Sequence, residues 1–345
     1  MTLWERKITS WPVLVFLIIC FSRSAECQNA IALVGSGSNL PTPLYSHWNE
    51  EYNKLSQRVQ VRYLSTGTMK GIDDISRGVG DFAAGEVPLS DEQLKAATRP
   101  ILQIPTVLVA IVPIYHVPGV KGLRFSGPVL ADIFLGSIKN WDDPRIKEIN
   151  PGQSLPHLDI AVVHRTEGKG SNYIFTDFLS KTSQKWRAEI GKTPSPAWPV
   201  GIGTSRGEDM MEAVKNTPGA IGYVELGFIQ NESSVVAGLV QDAAGKFIGA
   251  TQASIDAASR SMEKSISADF RVSLTNASGN DAYPIVSLSW LYVPEKSSDP
   301  ERSKALANYL EWVLTTGQQS AETHGYTPLP ASLAQKVLAK LRSLR

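Results

Sequence analysis

The sequence predicts an α/β protein built as two units, and three observations carry that reading. A strand, a Gly/Ser turn and an amphipathic helix recur in that order three times. Two long uncharged runs rich in β-branched residues flank the middle of the chain, and 345 residues suit two domains. In chain order, residues 31–48, IALVGSGSNLPTPLYSHW, read as a short strand, a turn and the start of a helix. Leu40, Leu44, Tyr45, Trp48, Tyr52 and Leu55 fall at helical spacing on its inner face. Pro41 and Pro43 suit the first turn, where a missing amide costs nothing. The stretch VQVRYLSTGTMKGIDDI repeats the pattern: a strand from Val59, a turn at Gly67, and a helix that turns Met69, Ile72 and Ile75 inward. The third copy, IAVVHRTEGKGSNYIFTDFL, puts Ile174, Phe175, Phe178 and Leu179 on one helical face. The runs IPTVLVAIVPI from Ile104 and YPIVSLSWLYV from Tyr283 have the unbroken apolar character of buried strands. If both cross between units, residues 28–105 plus 285–345 form one lobe and residues 106–284 the other. A last helix opens with Asp299 as cap and Pro300 in its first turn. It buries Leu306, Tyr309, Leu310 and Val313, and Gly317 ends it.

The beginning of the chain reads as a secretory leader. Arg6 and Lys7 precede an apolar run from Val13 to Phe21, followed by small and polar residues around Ser24, Ala25 and Cys27. The run is too short to span a bilayer, which takes roughly 20 residues. Residues 1–27 are therefore expected to be a signal peptide and the protein to be periplasmic. A lipid anchor on Cys27 is the alternative, and Glu26 fits it poorly. Without the leader about 318 residues remain, with formal charge zero instead of +1, so nothing steers the protein toward nucleic acid or an anionic membrane. Both cysteines, Cys20 and Cys27, lie in or beside the leader, so the body has neither a disulfide nor a cysteine metal site. The five histidines, His47, His116, His157, His164 and His324, show no metal-ligand spacing.

The three Gly/Ser turns matter together. A helix begins with amides that lack intrahelical partners, and its dipole adds partial positive charge there, so a small flexible turn before it makes a ready anion seat. Arg165, on the strand before the third turn, is the natural partner of such an anion, because its planar fork meets two oxygens of a tetrahedral oxyanion. Each feature alone has a plainer reading. Ser36, Ser38 and Asn39 suit helix capping, Arg165 a surface ion pair, and Glu86 in DFAAGEVPLSDE a solvated loop. An enzyme reading has one hook, Gly203-Thr204-Ser205-Arg206-Gly207, which spells the G-x-S-x-G of a nucleophile elbow with His324 downstream as base. The residues before it, AWPVGIG, do not look like the strand such an elbow requires. GSGSNL lacks the third glycine of a dinucleotide fingerprint.

Seven ordered stretches carry a resemblance: GSGSNLPTPLYSHW, DFAAGEVPLSDEQL, LADIFLGSIKNWDDPRIKEINPG, LPHLDIAVVHRTEGKGSNYIFTDFL, WPVGIG, NTPGAIGYVE and DAYPIVS. With them the chain resembles the periplasmic phosphate-binding proteins of phosphate ABC importers over nearly its whole length. The resemblance implies the type II periplasmic binding protein fold. Each lobe would be a central sheet flanked by helices, the two would be joined by a hinge of two crossing strands, and inorganic phosphate would be held between them. It implies a monomer without cofactor or metal that delivers phosphate to a membrane permease.

By the same resemblance the phosphate is held by amides and hydroxyls at Ser38, Asn39, Leu40, Thr68, Gly170 and Ser171, with Arg165 chelating two oxygens. Asn39 and Leu40 stand where the family has Thr-Phe, so an amide is kept and a hydroxyl lost. Glu86 stands at the family's cleft aspartate, which accepts the ligand's proton and repels fully ionised anions, and Glu167 stands at a further aspartate. Lys169 stands at a serine position and brings an extra cation. Its long stem is expected to carry the ammonium out to solvent, leaving its amide for the ligand. If it faced the cleft instead, discrimination against sulfate would weaken. A sensor or scavenger of phosphate, or a binder of another oxyanion, remains a third class.

Overall fold

The computed structural model describes residues 30–229, 235–296 and 298–342, so the expected signal peptide and Cys27 lie outside the described residues. The first part of the chain runs β1 (Ile31–Gly37), α1 (Thr42–Leu55), β2 (Val59–Ser65), α2 (Thr68–Ser76), β3 (Phe82–Gly85), α3 (Asp91–Ala96) and β4 (Ile101–Tyr115). The middle continues with β5 (Arg124–Phe125), α4 (Gly127–Phe134), α5 (Pro144–Ile149), β6 (Ala161–Arg165), α6 (Gly170–Thr182), α7 (Gln184–Glu189), β7 (Ile202–Thr204), α8 (Gly207–Asn216) and β8 (Ala220–Glu225). It closes with β9 (Val236–Ala237), β10 (Leu239–Gln241), β11 (Phe247–Ile248), α9 (Gln252–Met262), β12 (Val286–Pro294), α10 (Pro300–Leu314), β13 (Thr327–Pro328) and α11 (Ala331–Arg342).

One curled sheet organises these elements, in the order β2-β1-β3-β12-β4-β8-β6-β7. At one end β1 is parallel to β2 and β3, and at the other β6 is parallel to β7 and β8. The parallel pairing expected from the strand–helix alternation holds in both. Between them β12 and β4 run antiparallel, the two long apolar runs of the sequence. Residues 101–110 of β4 pair with β12 and residues 111–115 with β8, so this one strand joins the two ends of the sheet. Pro105 sits inside it at a bulge: Trp290 opposes Pro105 and Ser289 opposes Val107, and proline in a central strand needs such a break in the ladder.

The apolar faces read from the sequence are buried at Leu44, Tyr45, Trp48, Ile72, Ile75, Ile174, Phe175, Phe178 and Leu179. Asp299 caps α10 through the Arg302 amide, as expected. Leu55 differs: it is 67% exposed, because it is the last residue of α1 and projects beyond the sheet it would have to cover. Met69 is only partly buried; its amide donates to the Gly168 carbonyl at 3.2 Å, which brings the turn before α2 against the turn before α6.

Candidate functional site

Caps distinguish the helices that meet here. The N-termini of α3, α4, α5, α7, α9 and α10 are each capped by their own serine, threonine or aspartate. No side chain caps α1, α2 or α6, the three helices that follow the Gly/Ser turns. The first turns therefore look elsewhere: the Thr42 amide of α1 donates to the Asn39 carbonyl at 3.4 Å and the Met69 amide of α2 to the Gly168 carbonyl. Gly67, before α2, has φ of 100°, a conformation that only glycine adopts at no steric cost.

The end of β3 delivers Glu86 into the middle of this arrangement, fully buried. Its Oε2 accepts hydrogen bonds from Ser38 Oγ at 2.7 Å and Thr68 Oγ1 at 3.0 Å, and its Oε1 accepts from Ser289 Oγ at 3.1 Å. Ser289 is aimed by the bulge in β4, where Thr106 Oγ1 donates to the Ser289 carbonyl at 3.1 Å. Tyr45 Oη lies 2.6 Å from Thr106 Oγ1. Hydrogen bonds to a charged group contribute about 1.5–3 kcal/mol each. Burial still outweighs all three hydroxyls and pushes the Glu86 carboxyl up to about 7. The carboxylate also abuts the first turn of α6: a β-carbon at Gly170 would lie 1.8 Å from Glu86 Oε2.

Two cations flank the start of α6. Arg165, at the end of β6, is only 4% exposed. Its guanidinium is held by the backbone, Nε donating to Thr204 O at 3.3 Å and Nη2 to Ser205 O at 2.6 Å. Among the described residues no carboxylate pairs with it. Burial holds its pKa below the usual guanidinium range. Lys169, one residue before α6, has its pKa lowered first by burial and then by Arg165. Its ammonium makes no hydrogen bond or ion pair among the described residues. A β-carbon at Gly67 would lie 3.5 Å from Lys169 Nζ and 3.9 Å from Asn39 Oδ1. Two buried polar atoms lack partners here, Ser171 Oγ and Asn39 Oδ1, and Ser171 is 2% exposed. Such atoms cost free energy unless something completes them.

The structure thus brings Ser38, Thr68, Glu86 and Gly170 into one contact set, with Asn39 and Lys169 meeting at Gly67. It differs from the expectations in four respects, one of them that the Lys169 amide, expected at the ligand, donates to the Pro194 carbonyl at 3.2 Å. The Ser38 and Thr68 hydroxyls are expected at the ligand, but both donate to Glu86, whose longer side chain reaches them. The Leu40 amide donates to Ser38 Oγ at 3.1 Å instead of standing free. The Lys169 ammonium, expected in solvent, lies beside Gly67, near the place where the turn at Gly168 packs on Met69, although the residue keeps intermediate exposure. Glu167 is exposed and makes no ion pair among the described residues. Ser289 escaped the sequence reading, although the alternation of Ser287 and Ser289 within the apolar run VSLSWLYV marks one polar face of a buried strand.

Ser205 does follow a short strand, β7, and precedes α8, contrary to expectation. The rest of an elbow is missing. Ser205 is exposed, and His324 Nδ1 lies 2.8 Å from Ser320 O and 3.2 Å from Thr323 Oγ1. Among the described residues no histidine hydrogen-bonds Ser205. Likewise, among the described residues no group of His, Cys, Asp and Glu could hold a metal, and no helix is long and apolar enough to cross a membrane.

The PBP superfamily domain matches residues 24–316 of the chain. The phosphate-binding protein PstS of Xylella fastidiosa is 34% identical over 319 residues, covering 92% of this chain and 86% of the relative. The protein of the same name from Pasteurella multocida is 33% identical over 331 residues, covering 95% of each. In three dimensions the chain is similar to a putative phosphate ABC transporter substrate-binding protein from Clostridium perfringens, solved with bound phosphate. The TM-score is 0.63 at 17% identity, over 87% of this chain and 100% of that one. That likeness establishes the two-lobed mixed α/β fold.

Proposed function

The chain belongs to the PBP superfamily and, within it, to the phosphate-binding protein PstS family, and from that membership we propose that it captures inorganic phosphate between two lobes and delivers it to the permease of an ABC importer. The lobes are residues 28–105 with 285–345, and residues 106–284, hinged where β4 and β12 cross. One observation carries the ligand assignment: Arg165 is buried and, among the described residues, has no carboxylate in ion-pair contact, its fork steadied by two carbonyls, beside the uncapped N-terminus of α6. A desolvated guanidinium is costly unless an anion completes it.

In this reading Arg165 and Lys169 neutralise the phosphate, and the Gly170 and Ser171 amides and Ser171 Oγ donate to its oxygens. Asn39 accepts or positions a protonated oxygen. Glu86, when ionised, accepts the ligand's proton. Thr68 and Ser38 act through Glu86, holding its carboxylate in place. A micromolar dissociation constant corresponds to about 8 kcal/mol, within reach of several charge-assisted hydrogen bonds in a cleft closed to water. Closing the hinge on phosphate is the signal a permease reads. The protein acts as a monomer outside the cytoplasm, exported by residues 1–27, and binds without covalent chemistry.

Calorimetric titration with phosphate tests this. The wild type should bind, and Arg165→Ala should weaken binding by about 10- to 100-fold, the loss of a charge-assisted contact. Undiminished affinity in Arg165→Ala, with the variant folded by circular dichroism, would remove the site.

A further inference from the structure

We propose that Lys169 contacts the ligand directly and that through it this cleft accepts fully ionised tetrahedral dianions, sulfate among them, alongside protonated phosphate. The inference rests on the phosphate reading above and extends its ligand class. Its ground is geometric. The ammonium reaches across from the turn before α6 to the turn before α2, where a β-carbon at Gly67 would meet it at 3.5 Å. The same point lies 3.8 Å from the Gly168 carbonyl and 3.9 Å from Asn39 Oδ1, and the like-charged Arg165, from β6, acts on the ammonium. Among the described residues no carboxylate forms an ion pair with either cation; Glu208 and Asp209 act on Arg165 only from beyond ion-pair distance, and Glu167, two residues away, makes no ion pair.

The charge count then decides what the site discriminates. With Arg165 alone opposite an ionised Glu86, the site is formally neutral, and an anion with no proton to share meets an uncompensated carboxylate. That arrangement rejects sulfate. With Lys169 in the cleft the site is one unit positive while Glu86 is ionised and two units positive while it is protonated. A dianion without a proton is then attracted in either state. Protonated phosphate depends less on Lys169, because it alone can donate to Glu86.

The test is calorimetric titration of the whole protein at pH 8, in sulfate-free buffer, with phosphate and with sulfate. The proteins compared are wild type, Lys169→Met and Lys169→Arg. Wild type should bind sulfate within about 1000-fold of phosphate. Lys169→Met should raise the sulfate-to-phosphate ratio of dissociation constants by about tenfold, as loss of one charge-assisted contact to the anion that has no other anchor, and Lys169→Arg should restore it. Two results would overturn the inference while leaving phosphate capture intact: phosphate binding with sulfate more than about 1000-fold weaker, or a ratio that moves less than threefold in Lys169→Met. Binding of neither anion by wild type would sink the phosphate reading and this inference together.

Discussion

Gly170→Ala isolates the contact between Glu86 and α6. Its β-carbon would fall 1.8 Å from Glu86 Oε2, 2.8 Å from Thr68 Oγ1 and 2.9 Å from Glu86 Cδ. The first of these is short of ordinary contact by about 1.5 Å or more. Either the carboxylate leaves Ser38 and Thr68, losing two hydrogen bonds of about 1.5–3 kcal/mol each, or the turn before α6 withdraws from the turn before α2. Both routes spoil the seat between the uncapped helices. Losing roughly 3 kcal/mol corresponds to about 100-fold in affinity. The helix itself should not suffer, since alanine is the better helix former by up to about 1 kcal/mol. Phosphate titration should therefore show about 100-fold weaker binding, and the urea midpoint without phosphate should also fall, since the hydrogen bonds at risk are made in the ligand-free protein. Phosphate affinity within threefold of wild type would refute the placement of Glu86 against α6.

Two further outcomes follow from buried groups. Burial raises Glu86 from 4.5 to about 7, so between those values the folded state keeps a proton that the unfolded chain releases, and stability falls as pH rises from about 4.5 to 7. Glu86→Gln should remove that part of the slope in urea midpoints measured from pH 5 to 8, leaving the part due to Glu225, which burial raises to about 8; a slope equal to wild type would show that Glu86 does not titrate there. Trp48 is fully buried, stacks on Tyr45 at 5.4 Å and donates to Gly317 O at 2.7 Å. Trp48→Ala should cost about 3–5 kcal/mol in chemical denaturation, and a loss under 1 kcal/mol would contradict its place in the core.

The parts of this fold that local pattern controls were legible. Apolar spacing located the inner faces of α1, α2 and α6, Asp299 with Pro300 marked the start of α10, and two uncharged runs marked the antiparallel pair at the sheet's centre. What escaped depends on registers and rotamers that no local pattern carries. Leu55 has the right spacing, but its burial depends on how far the sheet extends beneath the end of α1. Ser289 becomes a partner of Glu86 only through a bulge at Pro105, a feature of strand pairing across 184 residues of chain separation. The approach of the Lys169 ammonium to Gly67 joins segments about 100 residues apart, which no local pattern carries. The candidate site was legible as a set of turns with one arginine. Its internal wiring, with hydroxyls directed to a buried acid, was not.

The two sides of the site carry opposite electrostatic debts, and that opposition explains how closure can depend on an anion. On one side Glu86 is desolvated, and three hydroxyls do not bring its carboxyl back to the ordinary range. On the other, Arg165 and Lys169 are desolvated, and Lys169 is further depressed by Arg165. Glu86 and the cations do not pair directly, so bringing the sides together without an anion leaves each group short of partners and holds two positive charges close to one another. In the proposed reading, a dianion placed among them offsets the repulsion between the two cations and completes Ser171 Oγ. A protonated oxygen on that anion also gives Glu86 a donor. If the lobes close on phosphate as proposed, anion binding and closure are one equilibrium: a ligand can shift it only by its differential affinity for the closed arrangement, and in that reading these unsatisfied groups supply the difference.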